Sequence, residues 1–157
     1  QSRRAARGMN ARGHAQPVGP GFAPEPSDDV PVCLPPIRIR TEPSEVAGFL
    51  RETGGARTGG FVPLTFPIRW LALPAVRGLI LQLIGGQGFL LVHEGQSFAH
   101  ERELRIETDY VLAIEARRTA KPPRLTLKMA VATGRGEICA HLETVLRIVP
   151  LNMEPAS

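Results

Sequence analysis

The longest apolar-periodic run in the chain is Thr65 to Ile84, TFPIRWLALPAVRGLILQLI. Ile68, Ala72, Ala75, Val76, Leu79, Ile80 and Leu83 recur at three- and four-residue steps, the spacing of a helix with a wide buried face. Thr65 is placed to cap its start, and Pro67 fits a first turn, where a missing N–H costs nothing. Gly85-Gly86 ends the run. Pro74 lies inside it and either kinks the helix or splits it in two. Arg69 and Arg77 interrupt the apolar character, which argues against a membrane span.

Beyond the helix the period changes to two. Gly88 to Glu94 reads as a short strand and turn, and Gln96 to Leu104 as a second strand. Thr108 to Arg117, Arg124 to Thr133 and Ile138 to Val149 read as three longer ones, joined by RTAKPP and by a tight hairpin at Gly134–Glu137. Strict alternation then sorts the side chains. His93 and His100 are seven apart and fall on opposite faces. Cys139, His141 and Glu143 share one face, strung along about 14 Å of strand, too far for a relay between neighbours.

Upstream of the long helix, Ile37 to Arg40 alternates as a short strand. A helix follows, capped by Ser44 or Thr41, striped by Val46, Phe49 and Leu50, and stopped by Gly54-Gly55. A glycine- and proline-rich loop then leads to Pro67. It lacks the lysine and the spacing of a nucleotide-binding loop. One long helix followed by hairpin-joined strands means α+β with an antiparallel sheet. Residues 1–34 read as a flexible Gly/Pro/Arg-rich tail, 35–151 as the folded domain and 152–157 as a fraying end.

Two segments carry a resemblance. VHEGQSFAHERELRIETDYVLAIEA resembles the start of the sheet in MaoC-type hot-dog dehydratases, where a histidine, glycine, glutamine and aromatic run precedes a further histidine. FVPLTFPIRWL is similar to that family's approach to its central helix, where a Pro-Thr-Phe-Pro string is common. The resemblance covers about Pro36 to Pro150. It implies a hot-dog fold, a curved antiparallel sheet wrapped around one long central helix. It also implies a place among (R)-specific enoyl-thioester hydratases, 3-hydroxyacyl-thioester dehydratases and related lyases. In active members an aspartate and a histidine on the loop before the helix act on a water and on the acyl α-carbon. Here that stretch is TGGARTGG, with Gly55 where the aspartate is expected and Gly60 near the place of the histidine. Neither moves a proton. The chain therefore looks like the silent half of a paired dehydratase, a structural or acyl-chain-binding partner. The alternative is an active hydratase, dehydratase or thioesterase using His93, Glu94 or Asp109.

On this reading the candidate substrate-binding residues are His93, Glu94, Gln96, Phe66 and Trp70, and no catalytic residue is expected. No resident cofactor or metal is implied, although the substrate carries coenzyme A or phosphopantetheine, whose phosphates Arg69 and Arg77 are candidates to meet. The expected partners are an acyl-thioester ligand and a second hot-dog, in a homodimer or a heterodimer with a catalytic subunit.

The whole-chain numbers change this picture little. In 157 residues, 43% apolar content fills one core. A net charge of +4 is mildly basic, but arginines alternate with glutamates and no dense basic patch carries interleaved aromatics, so nucleic acid is not an expected partner. Cys33 and Cys139 lack metal-site spacing and read as free thiols in a reducing compartment. With no positive, apolar and small-residue leader, the expected location is cytoplasmic.

Overall fold

The computed structural model describes residues 30–55, 59–86 and 88–151. Six strands form one antiparallel sheet: β1 (Val32–Cys33), β2 (Ile37–Arg40), β3 (Phe89–His100), β4 (Asp109–Ala120), β5 (Pro123–Thr133) and β6 (Ile138–Pro150). The strand order is β1-β4-β5-β6-β3, with β2 also pairing β4, so β3 is a free edge. The sheet begins earlier than the predicted domain boundary: Val32 pairs with Ala116 and Cys33 with Glu115, inside the stretch read as tail. The remainder of that tail, residues 1–29, lies outside the described residues.

The helical run is split, and Pro74 splits it. Phe66–Ala72 is a 3-10 helix and α2 is Pro74–Ile84, the two bent by 62°. Leu73 between them is extended (φ −57°, ψ 142°), because a residue before proline is pushed out of the helical region. Pro74 then opens α2 without losing a hydrogen bond. Gly85 at φ 82° closes α2 by donating to Leu81 O, and Arg118 of β4 donates to Leu83 O at 2.8 Å. A cation at a helix C-terminus is favourable there. Among the described residues no single helix is long and apolar enough to cross a membrane.

The core lies between this bent helical pair and the inner face of the sheet. Leu79, Leu83 and Ile84 pack with Ala116, Leu125, Leu127 and Ile148. Phe66, Trp70 and Val76 pack with Leu112, Ile114, Met129 and Val131. The helix α1 (Pro43–Thr53) joins this second cluster through Val46 and Phe49, whose ring meets Phe66 edge-on at 5.4 Å.

Three capping expectations do not hold. Glu42 is the N-cap of α1, and neither it nor Thr65 caps with a side chain. The Thr41 hydroxyl instead donates to Arg105 O at 2.6 Å and accepts from Thr108 N–H at 3.0 Å, so the buried threonine ties β2 to the loop before β4. Val62 N–H donating to Leu104 O and Ile106 N–H donating to Gly60 O anchor the glycine-rich loop to that same connection.

Two further expectations fail for one reason, a residue inserted in a strand. The segment read as a strand, a turn and a second strand is the single strand β3. His93 pairs with Leu146 and Gly95 with Val145, so Glu94 is an extra residue and the supposed turn is a bulge. In β6, Ala140 pairs with Val131 and Ile138 with Ala132, so Cys139 is extra. Each bulge reverses the alternation that follows it. His93 and His100, opposite Leu146 and Ala140, therefore lie on the same face. Cys139 is buried while His141 and Glu143 are exposed on the other side. Desolvation pushes the Cys139 thiol up, which keeps it an inert core group.

Candidate functional site

Between α2, the 3-10 helix and the strands β3, β5 and β6 lies a cavity of about 530 Å³. Ile68, Leu71, Ile80, Leu91, Leu127 and Leu146 make it mainly apolar. Its size is within the roughly 300–1,000 Å³ of small-ligand sites. Ile68 and Leu81 at its rim are exposed.

Four polar side chains also line it: Arg77, His93, Gln96 and Thr144. Three of them form one network. The Gln96 amide donates from Nε2 to Glu143 O at 3.0 Å, and Thr144 donates to Gln96 Oε1 at 2.7 Å. His93 Nε2 lies 3.3 Å from the same Oε1. A carbonyl oxygen accepts only, so Glu143 O fixes which way the amide is turned. Oε1 likewise requires His93 Nε2 to be the donor, which leaves Nδ1 of the neutral ring as a lone pair. The bulge at Glu94 makes this arrangement possible, because strict alternation would put His93 and Gln96, three residues apart, on opposite faces.

Glu94 is carried to the opposite face. It meets Arg124 at 2.6 Å and Arg147 at 2.5 Å. Desolvation raises its pKa, but the hydrogen bonds and charges of the two arginines outweigh it, and the carboxyl is held below its ordinary 4.5. Such a carboxylate is ionised at neutral pH and a weak base. Phe66 and Trp70 are 1% and 2% exposed, and their rings meet edge-on at 5.7 Å in the core. Arg69 donates to Glu45 O at 3.0 Å, whereas Arg77 stands at the cavity rim. Asp109 lies 3.5 Å from Arg40 on the outer side of β4. The structure thus brings His93 and Gln96 together in the cavity and places Glu94, Phe66 and Trp70 elsewhere.

Sequence reasoning missed Thr144. Its signal was present: Ala140, Leu142, Thr144, Leu146 and Ile148 are the inner positions of β6, and Thr144 is the polar one in an apolar series. Gly95 inside a strand was likewise a mark of the bulge.

Among the described residues, the loop before the 3-10 helix carries no acid or base. Gly54, Gly59 and Gly60 face open space, and a Cβ on Gly55 would meet the end of Leu50 at 2.9 Å and the Thr53 hydroxyl at 3.7 Å. Residues 56–58, Ala, Arg and Thr in sequence, lie outside the described ones. No group of three or more His, Cys, Asp or Glu able to hold a metal occurs among the described residues.

No family model matches the sequence, and no curated protein matches it. Solved structures do. HtdX from Mycobacterium tuberculosis superposes with a TM-score of 0.58 at 20% identity, over 78% of this chain and 52% of that one. The C-terminally truncated HadBC complex of the same organism, a 3R-hydroxyacyl-ACP dehydratase, gives 0.56 at 12% identity over 76% and 96%. The (R)-hydratase from A. caviae involved in PHA biosynthesis gives 0.51 at 18% over 80% and 98%. This chain therefore spans about half the length of HtdX but nearly all of the other two. The expected fold holds: the chain is a hot-dog, a curved antiparallel sheet on a helix, as in the MaoC-like hydratases and dehydratases.

Proposed function

We propose that this chain is a hot-dog domain of acyl-thioester metabolism that holds an acyl chain and leaves the chemistry to a partner hot-dog. The observation that carries the reading is the apolar cavity under α2, and the described residues of the loop before the 3-10 helix carry no acid or base. An acyl chain is the apolar ligand such a cavity suits. The likeness to HadBC and to the (R)-hydratase supports the acyl-thioester class, and coverage of 52% of HtdX is what one unit of a two-unit protein would give. The bulky polar carrier, coenzyme A or phosphopantetheine, stays outside, with Arg77 at the rim as the cation for its phosphate.

The partner docks on β3. That strand is a free edge of 12 residues, with Phe89, Leu90 and Val92 exposed. A long apolar edge invites pairing with another strand. A second copy or a catalytic hot-dog subunit both fit it.

A second reading makes the chain itself a hydratase, dehydratase or thioesterase. It is favoured by the unspent Nδ1 of His93 at the cavity, and it no longer has Glu94 or Asp109 to draw on, since both face the outer side with arginines. The two readings separate in an assay of enoyl-thioester hydration, with crotonyl and longer substrates, by the isolated chain and by the chain with any co-purifying hot-dog subunit. Turnover is expected only with the partner. Turnover by the isolated chain that disappears in His93→Ala would establish the second reading in place of the first.

A further inference from the structure

The four long strands also present an outer face, in the order β4-β5-β6-β3. Two neighbouring rows cross it. Glu115, Lys128, Glu143 and Ser97 stand in register, with charges minus, plus, minus and none. Ala113, Ala130, His141 and Ala99 form the next row, small except for one ring. Both rows border the outer depression of about 580 Å³. Lys128 stands between two glutamates and makes an ion pair with neither. The charges of this patch are therefore not spent on one another.

The patch is complementary to itself. A second copy can lie face to face with the first, sheets about 10 Å apart, related by a two-fold axis along the strands between β5 and β6. That axis runs down the middle of the four strands. It lays β5 on the partner's β6 and β4 on the partner's β3. Lys128 then faces the partner's Glu143, and Glu143 the partner's Lys128. The His141 ring falls on the partner's Ala130, where the small side chain leaves room, and Ala113 meets the partner's Ala99. Glu115 faces the partner's Ser97, a hydroxyl that donates to a carboxylate. Every contact occurs twice. An axis across the strands, along the charged row, sets Lys128 on Lys128 and Glu143 on Glu143 and is disfavoured. Farther along, Arg124 comes toward the partner's Arg147, but both arginines already bind Glu94 of their own chain. Packed sheets also cross at about 30°, so their ends diverge.

We propose that the outer face of the sheet, centred on Lys128 and Glu143, is a self-association surface on which two copies of this chain pack sheet against sheet. It is separate from the β3 edge and independent of the acyl-binding reading. Alternating charge fixes the register of the two copies, and since Lys128 and Glu143 are exposed in the single chain, salt weakens the contact.

The test is a charge exchange read by sedimentation over a concentration series at low salt. Wild type should reach twice the mass of Lys128→Glu and of Glu143→Lys at equal concentration, whether or not the β3 edge is also paired. Each single variant sets like charges together and should associate at least about tenfold more weakly. Both should keep the wild-type melting temperature measured at dilution, since neither side chain is buried. An equimolar mixture of the two variants restores both opposite-charge pairs and should recover the wild-type mass, as should the chain carrying both substitutions. Wild type no heavier than the single variants would overturn the proposal and leave this face to another partner or to solvent. Loss of association in the single variants without recovery in the mixture would overturn it as well, because the pairing of Lys128 with the partner's Glu143 would then be wrong.

Discussion

Two depressions of nearly equal size sit on opposite faces of the same strands. The inner one, about 530 Å³, lies between β3, β5, β6 and the helices; the outer one, about 580 Å³, lies over Ala99, Ala113 and Ala130. The outer depression lies on sheet positions that carry charge, where Lys128 stands in register between Glu143 and Glu115. The inner one is walled by leucines and isoleucines, with a fixed polar network at one end. Volume alone does not distinguish them. What distinguishes them is which neighbour in the chain faces which way: Leu127 or Lys128, Thr144 or Glu143, His93 or Glu94.

The largest expected effect comes from a pair of adjacent residues. Leu127→Ala, on the inner wall at 1% exposure, should lower unfolding free energy by about 2–5 kcal/mol, whereas Lys128→Ala should stay within about 0.5 kcal/mol, both read by denaturant titration. Similar losses in the two would remove the distinction between the faces.

A smaller effect is expected at the bulge. Glu94→Gln should leave acyl-thioester affinity unchanged, since Glu94 faces outward. Its effect is on acid stability. The folded carboxyl lies below 4.5, so its contribution is complete above that pH and is lost as pH falls through the lowered value. Wild type should therefore lose stability on acidification in that window, and Glu94→Gln should lose less, as followed by thermal melts at descending pH. The effect is modest because the group is exposed to solvent.

The smallest effect is expected in the loop. Gly60→Ala meets nothing within 4 Å, so stability and thioester binding should both be unchanged. A loss of binding there would mean that the loop contacts the ligand after all.

Much of the fold was legible in the chain. The strands from Thr108 onward announce themselves by alternation, because their inner face is core and their outer face is solvent. Pro74 announced the break at Leu73. The site was legible only in part. His93 and Gln96 stood out as polar residues near the sheet, but their shared face depends on one inserted residue, and Glu94-Gly95 looks the same in sequence whether it turns the chain or bulges it. The same ambiguity hid the burial of Cys139. Phe66 and Trp70 were legible as large aromatics, while their side of the helix was decided by the bend before α2 and by Phe49 of α1, a contact between separate elements.

The claim that the inner depression is the acyl site is tested most directly by filling each depression in turn. Ala72→Trp places an indole at an exposed wall of the inner one, and Ala130→Trp places one at a half-buried wall of the outer one. Titration with a decanoyl thioester should show affinity falling by about tenfold or more in Ala72→Trp, a loss of about 1.4 kcal/mol, and holding in Ala130→Trp. The reverse pattern, or equal affinity in both variants and wild type, would contradict it.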